Sequence, residues 1–122
     1  MRKPAFYYEK MGALGVHIQL LRSGIREICI PNHGEFEKED LGYIDREARK
    51  HGFCTMLITF NRIRKNGSKF KSYQRIIYLK KRRADAYLLR SRIQKKPKEK
   101  SDHRVIGRLL GYSKEAINSF VG

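Results

Sequence analysis

Acidic side chains are what this sequence has least of. Against 28 lysines and arginines it sets only 12 aspartates and glutamates, a formal net charge of +16 over 122 residues. Tryptophan is missing altogether, and there are only three prolines and two cysteines. Each shortage excludes something. Cys29 and Cys54 have no CxxC spacing and lie in apolar, strand-like runs, so free buried thiols are expected rather than a disulfide or a zinc pair. Free thiols fit a reducing, intracellular compartment, the cytoplasm. No apolar run approaches the length of a membrane span, so no membrane association is expected. Met1 to Lys10 has no apolar h-region, which argues against a signal peptide. The chain has no P-loop, HExxH, GxSxG or GxGxxG motif, and no cofactor or metal is expected. Glu35, Glu37, Glu39 and Asp40 are explained as an acidic helix start before they are read as magnesium ligands.

What is abundant is positive charge, and it is unevenly placed. Residues 1–60 hold nine Lys/Arg and eight Asp/Glu, a net of +1; residues 61–122 hold nineteen and four, a net of +15. The length and apolar content fit one domain with a real core, divided into a near-neutral scaffold half, 1–60, and a basic half, 61–122. Arg62 to Lys100 carries sixteen basic residues opposed by Asp85 and Glu99 alone. Phe70, Tyr73, Ile76, Ile77, Tyr78, Leu79, Leu88 and Leu89 sit among them, which a disordered basic tail would lack.

Taken along the chain, the periodicities predict an α+β fold: a small, mainly antiparallel sheet, a packed amphipathic helix and a C-terminal helical hairpin. Val16–Leu21 and Ile25–Ile30 read as two strands joined by a turn at Arg22-Ser23-Gly24. Glu37–Lys50 reads as an amphipathic helix on one face of the sheet, with Leu41, Ile44 and Ala48 inward, acids early and bases late. Phe53–Phe60 is nearly uncharged and reads as a central strand buried on both faces. Asn66-Gly67 predicts a hairpin turn with both residues at positive φ, and Lys69–Tyr78 is the returning strand. Lys80–Ile93 turns helical, with Ala84, Tyr87, Leu88 and Ser91 on one side and Arg83, Arg90 and Arg92 on the other. Residues 94–101 read as a charged linker, and 102–122 as a helical hairpin in which Asp102 caps a helix to Leu110, Gly111 stops it and Ser113 caps the next.

Three functional readings follow. The first is a non-catalytic nucleic-acid-binding protein, for DNA or RNA. Basic side chains on a hairpin and helix would meet phosphates, with Arg62, Arg64, Lys65, Lys69, Lys71, Arg75, Lys80, Lys81, Arg82, Arg83, Arg90 and Arg92 as the contacts. Tyr7 and Tyr8 are further candidates for stacking on bases, against a simpler role in packing. The second reading is a small basic factor, of the kind found among viral host-takeover and ribosome-associated proteins, that docks on an acidic protein or nucleoprotein machine. The third is a metal-independent ribonuclease using His33, Glu35 and His51 for acid–base chemistry.

The stretch Ile106–Phe120 resembles a helix-turn-helix. Gly107 stands where the two helices would touch, Gly111 four residues on stands at the turn, and Ile106, Leu110, Ile117 and Phe120 fill the apolar positions. The resemblance spans residues 104–121. It implies a recognition helix beginning at Lys114, with Ser113, Lys114, Asn118 and Ser119 toward a DNA groove.

Overall fold

In the computed structural model, residues 5–31, 41–96 and 98–121 are described. Among them are five α-helices and a three-stranded antiparallel sheet, an α+β fold with a C-terminal helical pair. The order is α1 (Ala5–Arg22), β1 (Ile28–Cys29), α2 (Leu41–Lys50), β2 (Cys54–Ile63), β3 (Lys69–Tyr78), a 3₁₀ turn (Lys80–Arg82), α3 (Arg83–Gln94), α4 (Lys100–Leu109) and α5 (Lys114–Val121). The sheet order is β1-β3-β2.

The first predicted hairpin is not there. Val16–Leu21 belongs to α1, and the run that follows contributes only two paired residues, Ile28 opposite Tyr78 and Cys29 opposite Ile77. A six-residue apolar run fits either period. The deciding signal lies over a longer window: Leu14, Ile18 and Leu21 are buried at helical spacing, while Val16 is 61% exposed. Packing of that stripe overrides the weak helix propensity of Gly12 and Gly15. Gly24, at φ 79°, turns the chain out of the helix, and its N–H bonds back to Leu21.

Phe53–Phe60 is not the central strand. That place belongs to β3, and β2 lies at the edge. Both faces of β2 are nonetheless covered, which explains its unbroken apolar run. Leu57 joins Leu14, Ile18, Leu21, Cys29, Leu41, Ile44, Ala48 and Ile77 in a cluster beneath α1 and α2. Met56 and Ile58 join Ile28, Ile76, Tyr78, Ala86, Leu89 and Leu109 in a second cluster beneath α3 and α4. Burying a side chain of this size contributes about 1.5–3 kcal/mol, so the sheet is held from both sides. Arg75 Nη2, 2.8 Å from Asp45 Oδ2, ties β3 to α2.

Three local expectations are corrected. The inward face of α3 is Ala86 and Leu89, with Leu88 packed beside them as expected; Ala84 and Tyr87 are exposed. Packing on the sheet selects a different stripe of the same helical periodicity. The linker is shorter than 94–101, since α3 runs to Gln94 and α4 begins at Lys100. Asp102 is not the N-cap of α4. Glu99 is, and Asp102 sits three residues in, accepting the Glu99 N–H at 2.8 Å in a capping box. The start of the Glu37–Lys50 helix falls on residues 32–40, outside those described; Leu41, Ile44 and Ala48 face inward as their spacing requires. Neither cysteine is bonded to another: Cys29 is buried and Cys54 half-buried.

Candidate nucleic-acid interface

β2 and β3 pair in unbroken register from Cys54↔Tyr78 to Ile63↔Lys69. Only the inner part of this ribbon is packed. Neither apolar cluster includes a residue between 61 and 72. The outer part, 61–71, reaches about 10 Å past the last core pair, Phe60↔Ser72, before its loop. The loop closes through Gly67 N–H to Arg64 O and Arg64 N–H to Ser68 O, each 2.9 Å. Asn66 Oδ1 accepts from Ser68 N–H at 2.9 Å and Ser68 Oγ at 2.7 Å. Gly67 alone takes positive φ, at 87°, so Asn66 is not the left-handed residue expected of it. This is a three-residue loop ending in a left-handed glycine rather than a two-residue turn.

The arm carries Arg62, Arg64, Lys65, Lys69 and Lys71 and no acidic residue; none occurs between Glu47 and Asp85. Directly opposed residues of an antiparallel pair share a face, so the register sorts the side chains. Phe60, Arg62 and Phe70 share one face, and Asn61, Ile63, Lys69 and Lys71 the other. The Arg62 guanidinium lies over the Phe60 ring, 4.6 Å from its centroid, and the Arg64 guanidinium over Phe70 at 4.4 Å. At the foot of the arm, Gln94 Nε2 donates to the Thr59 carbonyl at 3.2 Å. That bond covers part of the exposed edge of β2 and sets the end of α3, followed by Lys95 and Lys96, against it.

The other expected contacts divide. Arg75 is engaged by Asp45, Lys81 Nζ lies 2.9 Å from Glu27, Arg82 3.0 Å from Asp85, and Arg92 2.6 Å from Asp102. The Lys81 hydrogen bond holds the Glu27 carboxyl below its usual value. Arg83 lies beside Cys54 and Tyr78, whose side chains hold its proton more tightly than usual. Arg90 lies over Tyr87 at 5.1 Å, and Lys80 is exposed. The arm, the part of the basic half farthest from any carboxylate in sequence, is thus also the part outside the core. The sequence reading missed Phe60 and Phe70 as supports for arginines. The signal was present as the Phe60–Arg62 spacing of two, but the second stack depends on register across the loop.

The C-terminal pair, α4 and α5, has its close contact and its turn at the expected glycines. A Cβ on Gly107 would lie 2.8 Å from Ile117 Cγ1, so the helices touch where the small residue stands. Gly111 has φ 83°, and Ser113 Oγ accepts the Ala116 N–H at 3.1 Å. Phe120 departs from the apolar role given it: it is 75% exposed, its ring edge-on to His103. No residue of α5 is buried. Lys114 and Ser119 are exposed, while Asn118 Oδ1 accepts from Arg104 at 2.9 Å.

For the acid–base set, His33 and Glu35 lie outside the described residues, and His51 stacks on Phe53, centroids 6.4 Å apart. Among the described residues no three His, Cys, Asp or Glu are grouped to hold a metal ion, and no helix is long and apolar enough to cross a membrane. No family model, curated protein or solved structure matches this chain.

Proposed function

We propose that the protein is a non-catalytic nucleic-acid-binding protein of the reducing cytoplasm and that its main contact is the β2–β3 arm. The observation that carries this reading is the concentration of five cations on an exposed ribbon with no carboxylate of its own. A field of that kind attracts a polyanion and releases its counterions. The ribbon is held rigidly by a ten-pair ladder whose inner end is packed between helices, so the charges are presented in fixed order. Arg75, Lys81, Arg82 and Arg92, held by carboxylates, serve the fold before they serve a ligand.

Mobility-shift titration against single- and double-stranded DNA and RNA at rising salt tests the reading. Affinity that falls steeply with salt supports it; the absence of binding to all four removes it. A second reading, docking on a protein, draws on the α4–α5 cleft of about 350 Å³, lined by His103, Ile106, Tyr112, Ile117 and the exposed Phe120. One protein retained in a pull-down after nuclease treatment and lost on Phe120→Ser would favour it.

A further inference from the structure

We infer that the path of the polymer does not end on the arm: it continues across the α3–α4 junction, where Lys96, Lys98 and Lys100 form a second phosphate-contacting site. This rests on the nucleic-acid reading above and goes further by adding contacts and a direction. Backbone alternation places the junction. Arg64 N–H bonds to Ser68 O, so Arg64, Arg62 and Phe60 turn their backbone groups toward β3, and the residues between them turn theirs to the outer edge of β2. Thr59 is one of the outward-turned residues, and its carbonyl accepts from Gln94, the last residue of α3.

The core fixes the face. Met56 and Ile58 pack beneath α3 and α4, and Phe60 and Ile93 lie against the same cluster. Residues two apart on a strand share a face. Arg62 and Arg64 therefore stand on the face of the ribbon that α3 and α4 cover farther in, while Lys69 and Lys71 stand on the other. From Thr59 to Arg64 is about 17 Å of strand, the length taken by about five phosphates of one duplex strand. The tip, with Arg64 and Lys65 both exposed, and the junction are thus the two ends of one strip. The cations at its inner end are not used by the fold. Lys95 is engaged by the buried Asp102, whereas no described carboxylate forms an ion pair with Lys96, Lys98 or Lys100. Lys96 and Lys100 are exposed and Lys98 half-buried. A lysine is a flexible point charge suited to phosphate, and these three extend the field of the arm beyond its foot.

The test is fluorescence anisotropy on the full chain with labelled DNA and RNA, single strands and duplexes of about 12 nucleotides or base pairs, at rising salt. On the probe that the parent binds best, K96Q/K98Q/K100Q should lose at least about tenfold at low salt. Its slope of log affinity against log salt should be shallower by about 2–3, since each phosphate contact contributes about 0.7–0.9. Removing cations from the start of a helix does not weaken it, so this variant should melt no lower than the parent. R46Q/R49Q/K50Q removes the same charge from exposed positions of α2, on the opposite face of the sheet, and should bind within about twofold of the parent. Lysine acetylation of the parent, read by mass spectrometry, needs no variant: the bound probe should protect Lys96, Lys98 and Lys100 together with Lys65 and leave Lys50 reactive. A junction variant with the parent's slope and affinity, an equal loss in the α2 variant, or junction lysines acetylated equally fast with and without the probe overturns the inference and leaves the nucleic-acid reading standing. Failure of the parent to bind any of the probes overturns both.

Discussion

The guanidinium of Arg92 lies 2.6 Å from the carboxylate of Asp102, a side chain with no exposed surface. Lys95 Nζ reaches the other oxygen at 3.0 Å, and the Glu99 N–H donates to it as well. One buried carboxylate therefore joins the end of α3 to the start of α4 and engages two cations of the basic half, whose side chains stay partly exposed. These donors hold the Asp102 carboxyl well below its ordinary value of 3.8, the backbone N–H first and the two cations after it.

Replacing Asp102 with Asn should lower the melting temperature by roughly 5–10 °C at pH 7, since it strands two cations at the α3–α4 junction. The pH dependence has a definite sign. A carboxyl whose folded value is depressed adds stability that is fully present above its unfolded value and is lost as pH falls through the folded one. The gap between parent and Asp102→Asn should be constant from pH 5 to 8 and should narrow below about pH 4. Thermal melts across pH 2.5–8 read this directly; a gap that widens toward acid contradicts the assignment.

Arg75 sits on β3 among the expected phosphate contacts, yet its guanidinium is half-buried against Asp45 of α2. Arg75→Gln should destabilise the fold by about 1.5–3 kcal/mol, the usual cost of losing a hydrogen bond to a charged group. It should leave nucleic-acid affinity within about twofold. Urea unfolding and an anisotropy titration of the same variant separate the two effects, and a large affinity loss without a stability loss would return Arg75 to the interface.

A methyl group on Gly107 would meet Ile117 at 2.8 Å, closer than packed carbons approach. Gly107→Ala should therefore loosen the α4–α5 contact by about 1–3 kcal/mol, the range for overpacking. The damage should be local, because α5 buries nothing of its own in the sheet core. Hydrogen exchange should speed up in 114–121 while the amides of β2 and β3 stay protected. Uniform deprotection would mean that α5 supports the whole fold.

Burial pushes the Cys29 thiol up to about 11, whereas Cys54 is half-buried. At pH 8 a disulfide reagent should label Cys54 and leave Cys29 unreacted until denaturant is added. Two thiols reacting at equal rates in the native protein would contradict the packing of β1 between α1 and β3.

The outcome of reading the chain by pattern follows the range of the forces at work. Leu41, Ile44 and Ala48, the hairpin around Asn66-Gly67 and the stops at Gly52, Gly67 and Gly111 were legible because each is decided within a few residues. Val16–Leu21 was misread because six apolar-rich residues satisfy two periods, and the choice is made by the contacts of Leu14, Ile18 and Leu21 with α2 and the sheet. The place of β2 at the edge depends on β1 pairing with β3, a contact some fifty residues apart. The candidate site shows the same division. The five arm cations are visible in the sequence, while the withdrawal of Arg75, Lys81 and Arg92 into ion pairs rests on partners ten to fifty-four residues distant.

The central claim is that the arm meets phosphate, and its most direct test is the salt dependence of binding before and after the arm is neutralised. The parent and a variant with Arg62, Arg64, Lys65, Lys69 and Lys71 all changed to Gln are titrated against the same single strand and duplex between 50 and 200 mM salt. The account predicts a steep slope for the parent, shallower in the variant by about 2–3 on the single strand, with affinity lower by at least about a hundredfold at the low-salt end. A parent whose affinity is flat with salt, or a variant that keeps the parent's slope and affinity while still folded, would contradict it.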